Sequence, residues 1–217
     1  MVPKQERRHD QQNEDQHPVS DDRRRGGAER LRPGRHRTGP MPGAVPMSMP
    51  AMQAMLAGWP DKSREAAMDM MAKYGPPQEV TASMLKWRNN GPWKWTTVSR
   101  ETIPHSFPMP HPDLLEQAID YRVPLGKYDD LARYDGSVIV ERTKGQLSAR
   151  CDKEGANFLA VNLAHDVATG RKSVDQARAY YAAAMKRFMS TNQMDPYMRG
   201  LAFQPQPNSG DPDRAVM

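Results

Sequence analysis

The chain has 217 residues, of which 37% are hydrophobic, 26% charged and 7% aromatic, and its formal net charge is +5. That length suits one domain of roughly 100–200 residues plus tails. No apolar run reaches the length of about 18 residues that a membrane span needs. The single cysteine, Cys151, excludes an internal disulfide framework and a thiolate-rich zinc cluster. One thiol suits any compartment, and the cytoplasm is favoured.

The basic excess is partly a property of a tail. Residues 1–40 hold ten Lys/Arg against seven Asp/Glu, and the only dense basic run is Arg23 to Arg37, seven arginines against Glu29. The run lacks the interleaved aromatics on which bases stack, so nucleic acid is disfavoured as a partner and a solvated tail is favoured. Residues 1–58 contain no Phe, Trp or Tyr. Such a segment buries too little apolar surface to offset the entropy of ordering it. Residues 41–58 are apolar but broken by Pro42, Pro46 and Pro50, which also makes them a poor signal peptide. The expected organisation is a disordered Arg/Pro/Met-rich segment over 1–58, a folded domain over 59–203 and a disordered polar tail over 204–217.

Within the domain the spacing predicts a helix over 61–74, with Ala67, Met70, Met71 and Tyr74 on one face and Gly75-Pro76-Pro77 as its stop. Two β-prone runs, 84–88 and 93–101, flank Asn89-Asn90-Gly91-Pro92 and predict a hairpin carrying Trp87, Trp93 and Trp95. Residues 104–112 contain four prolines and must be extended. Leu115, Ile119, Tyr121 and Val123 alternate as a strand, and a short helix follows over 125–134. SVIVERT and QLSARC flank Lys144-Gly145 as a second hairpin. Two helices close the domain: one over about 153–169 ending at Gly170, and one starting at Ser173 with Gln176 completing a capping box. The expected fold is a single α+β domain, a mostly antiparallel sheet of about five strands with a C-terminal antiparallel helix pair.

From Trp59 to Phe188 the chain resembles an uncharacterised family of small bacterial proteins. The strings that carry the likeness are KYGPP (73–77), KWRNNGPWK (86–94), HSFPMPH (105–111), YDGSVIVERT (134–143), LSARCD (147–152) and NFLAVNLAHD (157–166). The resemblance implies a shared fold and no particular activity. A fainter likeness in the order of elements, to small envelope modules of the β-lactamase-inhibitor-like type, carries no function with it.

Several polar residues are chemical candidates. His105 and His111 sit in a rigid proline frame and suit a metal, which Cys151, Asp152, His165 and Asp166 could complete; the bland alternative is histidines that cap a loop. Cys151, between Arg150 and Asp152, could be a nucleophile with His105, His111 or His165 as base, or simply a small buried apolar residue. The arginines Arg88, Arg100, Arg122, Arg142 and Arg150 alternate with Glu101, Glu116, Asp120 and Glu141; they could read an anionic ligand on a sheet face, but cross-strand ion pairs on a solvated face are favoured. Asn162 and Asp166 share one face of an apolar helix, beneath a small pocket or bonded to loop backbone.

The sequence favours binding without catalysis. The expected surface is the tryptophan hairpin and the proline-histidine loop, with Trp87, Trp93, His105, His111, Arg150, Asp152, Asn162 and Asp166 as binding residues. No metal and no cofactor is assigned, and a protein is the favoured partner. The alternatives are a cysteine/histidine enzyme using Cys151 and an anionic-surface binder using the basic tail.

Overall fold

The computed structural model describes residues 47–217. The basic run and most of the segment expected to be disordered lie outside the described residues. Among the described residues five α-helices and six strands follow in the order α1 (Met49–Leu56), α2 (Asp61–Tyr74), β1 (Glu79–Val80), β2 (Met84–Asn90), β3 (Trp93–His105), β4 (His111–Asp120), α3 (Tyr128–Tyr134), β5 (Val138–Glu141), β6 (Gln146–Cys151), α4 (Glu154–Ala168) and α5 (Val174–Thr191). The strands form one antiparallel sheet in the order β1-β2-β3-β4-β6-β5. The fold is α+β, as the pattern predicts; the sixth strand is the two-residue β1, too short to leave a periodic signal.

Local chemistry accounts for the elements. Asn89 and Gly91 take positive φ in the β2–β3 turn, where left-handed backbone favours Gly and Asn. At α5 the Ser173 side chain accepts from Gln176 N and the Gln176 side chain accepts from Ser173 N, so the capping box closes. The register places Leu85, Trp87, Thr96, Val98, Leu115, Gln117, Ile119, Leu147, Ala149 and Cys151 on one face. Helices α2 and α4 pack on that face: Met70 of α2 and Asn157 of α4 both meet Gln117. Helix α5 packs against α4 and α3, with Ala177, Tyr181 and Ala184 buried.

Two boundaries differ from the sequence expectation. Residues 49–56 form α1, and Met52 and Leu56 are buried in the cluster with Trp59, Met70, Leu85 and Trp87. Pro50 stands at the start of this helix, where proline lacks no needed donor, so it does not break it. At the other end, residues 204–217 do not hang free. Gln206 N donates to Asp120 O (2.9 Å), and Arg122 donates to the carbonyls of Asn208, Ser209 and Gly210. Arg142 pairs with Asp213. Two arginines expected to pair across strands thus hold the C-terminal segment instead. A Cβ at Gly145 would lie 1.9 Å from Ser209 O, so the turn after β5 must be glycine for the segment to cross there.

The β3–β4 hairpin decides where the site sits. Its register shifts between Val98 and Ile103, then resumes as Ile103↔Asp113, Pro104↔Pro112 and His105↔His111. β2 pairs with β3 only as far as Ser99, and β6 pairs with β4 only from Leu115. The hairpin tip is therefore a two-stranded extension whose outer edges need no ladder donors, which is where a strand tolerates Pro104 and Pro112.

Candidate functional site: a two-histidine, one-carboxylate cluster

His105 and His111 face each other across the hairpin tip, with ring centroids 5.0 Å apart. Asp113, two residues beyond His111 on the same strand face, reaches both. His111 Nε2 lies 3.3 Å from Asp113 Oδ1, and His105 Nδ1 lies 3.6 Å from Asp113 Oδ2. One donor atom from each of the three residues falls within 4.8 Å of the others. Asp113 is 1% exposed, while the two histidine side chains retain 17% and 14% exposure. The carboxylate thus closes the floor of the cluster and the imidazoles form its rim.

Outer residues stand beside the cluster. His111 Nδ1 lies 2.8 Å from Met109 O, so that nitrogen carries the proton it donates and Nε2 faces Asp113. His105 Nε2 lies 3.6 Å from Asp135 Oδ1. The Ser137 hydroxyl donates to Asp113 Oδ2 and stands 3.2 Å from His105 Nδ1. Asp135 and Ser137 come from the α3–β5 turn, where Ser137 N donates to Asp135 Oδ1 (2.8 Å). Asp113 Oδ1, by contrast, is a buried oxygen that accepts no well-aligned hydrogen bond among the described residues.

The electrostatics follow from this packing. His111 is pushed up to about 11, chiefly by the carboxylate of Asp113, with Cys151 adding to it and burial opposing it. Burial pushes the Asp135 carboxyl up, against the pull of Ser137 N and the two histidines. Burial also pushes the Cys151 thiol up, against the opposing pull of His111. Beside the cluster, Phe107 lies against Tyr181 (5.3 Å between centroids) and carries the Arg178 guanidinium over its ring at 3.9 Å. Arg178 in turn donates to Tyr134 O (2.7 Å) and fastens α5 to the end of α3.

The other candidates are elsewhere. Trp87 and Trp93 are 0% and 1% exposed, and their indole N–H groups go to Gly75 O (2.9 Å) and Glu154 Oε1 (2.7 Å). They are core residues under α2 and α4 and cannot present a surface to a partner; the hairpin tryptophan that reaches solvent is Trp95, on the opposite sheet face. Arg150 lies on that opposite face too, by register with Glu116. Asp152 accepts from Cys151 Sγ at 3.6 Å. Asn162 Nδ2 donates to Tyr197 O and Gly200 O, and its Oδ1 accepts from Ala202 N. Asp166 is ringed by Lys172 (2.6 Å), Tyr197 (3.1 Å) and Arg171 (3.6 Å). Both bind the segment after α5 and share no partner with the histidine pair. His165 bonds Tyr121 Oη (2.8 Å) and stacks on Phe203 (4.0 Å), and burial pushes its pKa down.

Asp113, Asp135, Ser137 and Glu154 are the polar residues the sequence pattern missed. For Asp113 a signal was present: His111-Pro112-Asp113 is an i, i+2 pair, and in an extended segment those side chains share a face. Nothing local marks Asp135 and Ser137, which arrive from another hairpin.

None of the family models, curated proteins or solved structures compared with the chain matches it. Among the described residues no helix is long and apolar enough to cross a membrane.

Proposed function

We propose that the domain is a binding module whose ligand is a divalent transition-metal ion, held by His105, His111 and Asp113. The observation that carries this reading is the convergence of two imidazole nitrogens and one carboxylate oxygen within 4.8 Å, with Met109 O bonded to His111, Ser137 bonded to Asp113 and Asp135 Oδ1 standing 3.6 Å from His105 Nε2. Metal-binding histidines characteristically give their second nitrogen to a carbonyl or carboxylate, and metal-binding carboxylates are hydrogen-bonded in turn. Met109 O, Asp135 and Ser137 supply that arrangement. Imidazole plus carboxylate suits ions of the zinc, cobalt, nickel and iron(II) type. The hairpin's prolines fix the donors before the ion arrives, so little ordering entropy opposes binding.

A second reading, a cysteine-dependent enzyme, has one observation in its favour: Cys151 pairs in register with Leu115, on the strand that carries His111 and Asp113. Against it, the thiol is 4% exposed and raised in pKa, and His111 Nδ1 is turned to a backbone carbonyl instead of to an orienting carboxylate.

The test is titration of the chelator-treated full chain with Co2+, followed by visible absorption, with Zn2+ in competition. One Co2+ per chain is expected to give ligand-field bands. His105→Ala, His111→Ala and Asp113→Asn should each weaken binding by at least about tenfold. Absence of ligand-field bands, or equal binding by His111→Ala, rejects the reading. Rapid stoichiometric labelling of native Cys151 by a disulfide reagent at neutral pH would promote the enzyme.

A further inference from the structure

The three donors of the cluster come from one face of one hairpin. His105 and His111 are opposed in the β3–β4 register, and Asp113 lies two residues beyond His111, so the three side chains leave the ribbon on the same side. Their ligand atoms gather within 4.8 Å of one another. Donors that approach from a single ribbon face cap one side of an ion and cannot enclose it. Zinc-type ions take four or more ligands, and centres with three protein ligands keep a position for water or substrate. Burial shows which way that position turns. Asp113 is 1% exposed at the floor, whereas the imidazoles at the rim are 17% and 14% exposed, so the uncapped side opens past them to solvent.

Charge decides what that position attracts. A divalent ion held by one carboxylate and two neutral imidazoles keeps one unit of positive charge, and the ion dominates the local field. Phe107 stands beside His105, with ring centroids 6.5 Å apart, and the Arg178 guanidinium lies over the Phe107 ring at 3.9 Å, a second cation on this side of the hairpin. Resting on the metal-binding reading above, we infer that the ion bound by His105, His111 and Asp113 keeps a coordination position open at the rim, and that this position takes the carboxylate of a small organic acid. One carboxylate oxygen replaces a water on the ion; no bond to carbon is made or broken, and no oxidation state changes. A single negative charge neutralises the centre. The domain thus binds its second ligand through the first, and the acid has no site on the chain until the ion is in place.

Cobalt reports the two readings separately. The full chain, freed of metal by chelator and kept in excess, is loaded with Co2+ and then titrated with sodium azide at constant ionic strength. Ligand-field bands in the visible report the three-donor site. Azide is a monoanion that announces direct coordination by an azide-to-cobalt charge-transfer band in the near ultraviolet, and that band is expected. Acetate should then remove it at roughly 1–100 mM, the range of a single weak contact, while chloride at the same ionic strength should leave it in place. Ligand-field bands that azide does not alter would overturn the open position and leave the three-donor site standing. An azide band that acetate cannot remove, or that chloride removes equally, would overturn the carboxylate as ligand. Absence of ligand-field bands would overturn the metal site and this inference together. The native chain alone decides each outcome, so none depends on a variant that folds.

Discussion

Replacing Glu154 by alanine should destabilise the domain by roughly 2–5 kcal/mol, because this one carboxylate completes the polar network beneath the sheet. Its Oε1 accepts from Trp93 Nε1 (2.7 Å), Tyr74 Oη (2.5 Å) and Gln117 Nε2 (3.1 Å), and its Oε2 accepts from Lys73. The consequences differ among the four donors. Gln117 Nε2 also donates to Thr96 Oγ1 and keeps a partner. Lys73 is half exposed and turns to water. Trp93, 1% exposed, has Glu154 as its sole acceptor among the described residues, so its indole N–H is stranded, at a cost of about 1–3 kcal/mol. The lost bonds to a charged acceptor add about 1.5–3 kcal/mol, partly returned by water at Lys73 and Tyr74. Glu154→Gln preserves an oxygen for Trp93 and should cost less, about 1–2 kcal/mol. The charge adds a pH signature. Burial opposes ionisation of Glu154, but Lys73, Tyr74, Trp93 and Gln117 together hold it below its ordinary 4.5. A carboxylate lowered on folding stabilises above its unfolded pKa, and that contribution is lost as pH falls through the folded value. The gap between wild type and Glu154→Gln should therefore be full at neutral pH and shrink below about 4.5. Urea unfolding followed by tryptophan fluorescence, at neutral and acid pH, measures both quantities. A midpoint for Glu154→Ala within error of wild type, or a gap that does not change with pH, would refute the assignment.

Other outcomes follow from the same packing. Trp93→Ala removes a ring stacked on Phe158 at 4.6 Å and should cost about 3–5 kcal/mol by urea unfolding, whatever ligand is present; a loss below about 1 kcal/mol would contradict its core role. A chain beginning at Met47 should melt within a few degrees of full length by calorimetry. A chain beginning at Trp59 loses Met52 and Leu56, each 1% exposed, and should be less stable by up to about 3–6 kcal/mol. Equal melting of the two shortened chains would show that α1 does not contribute to the core.

The sequence alone determined what short-range chemistry controls. Asn89 to Pro92 and Lys144-Gly145 turn the chain because left-handed backbone suits Asn and Gly, and both hairpins form there. Ser173 and Gln176 cap α5 because their side chains reach backbone donors within one turn. Period-3.6 and period-2 patterns gave the helices and most of the strands, and with them the α+β class. Tertiary structure decided whatever depends on residues far apart in the chain. Sequence pattern marks Trp87 and Trp93 as aromatics on a hairpin; only the packing of α2 and α4 on that face makes them core. Met52 and Leu56 look like a proline-broken tail until the sheet supplies a surface for α1. Arg122 and Arg142 find the C-terminal segment, 71 residues downstream of Arg142 at Asp213, because charge pairing follows distance in space. The candidate site divides in the same way. His105 and His111 were legible as a proline-framed pair, and Asp113 lay in plain view on their strand. Asp135 and Ser137 join them only because the fold carries the α3–β5 turn to the hairpin tip, and no spacing in the sequence encodes that meeting.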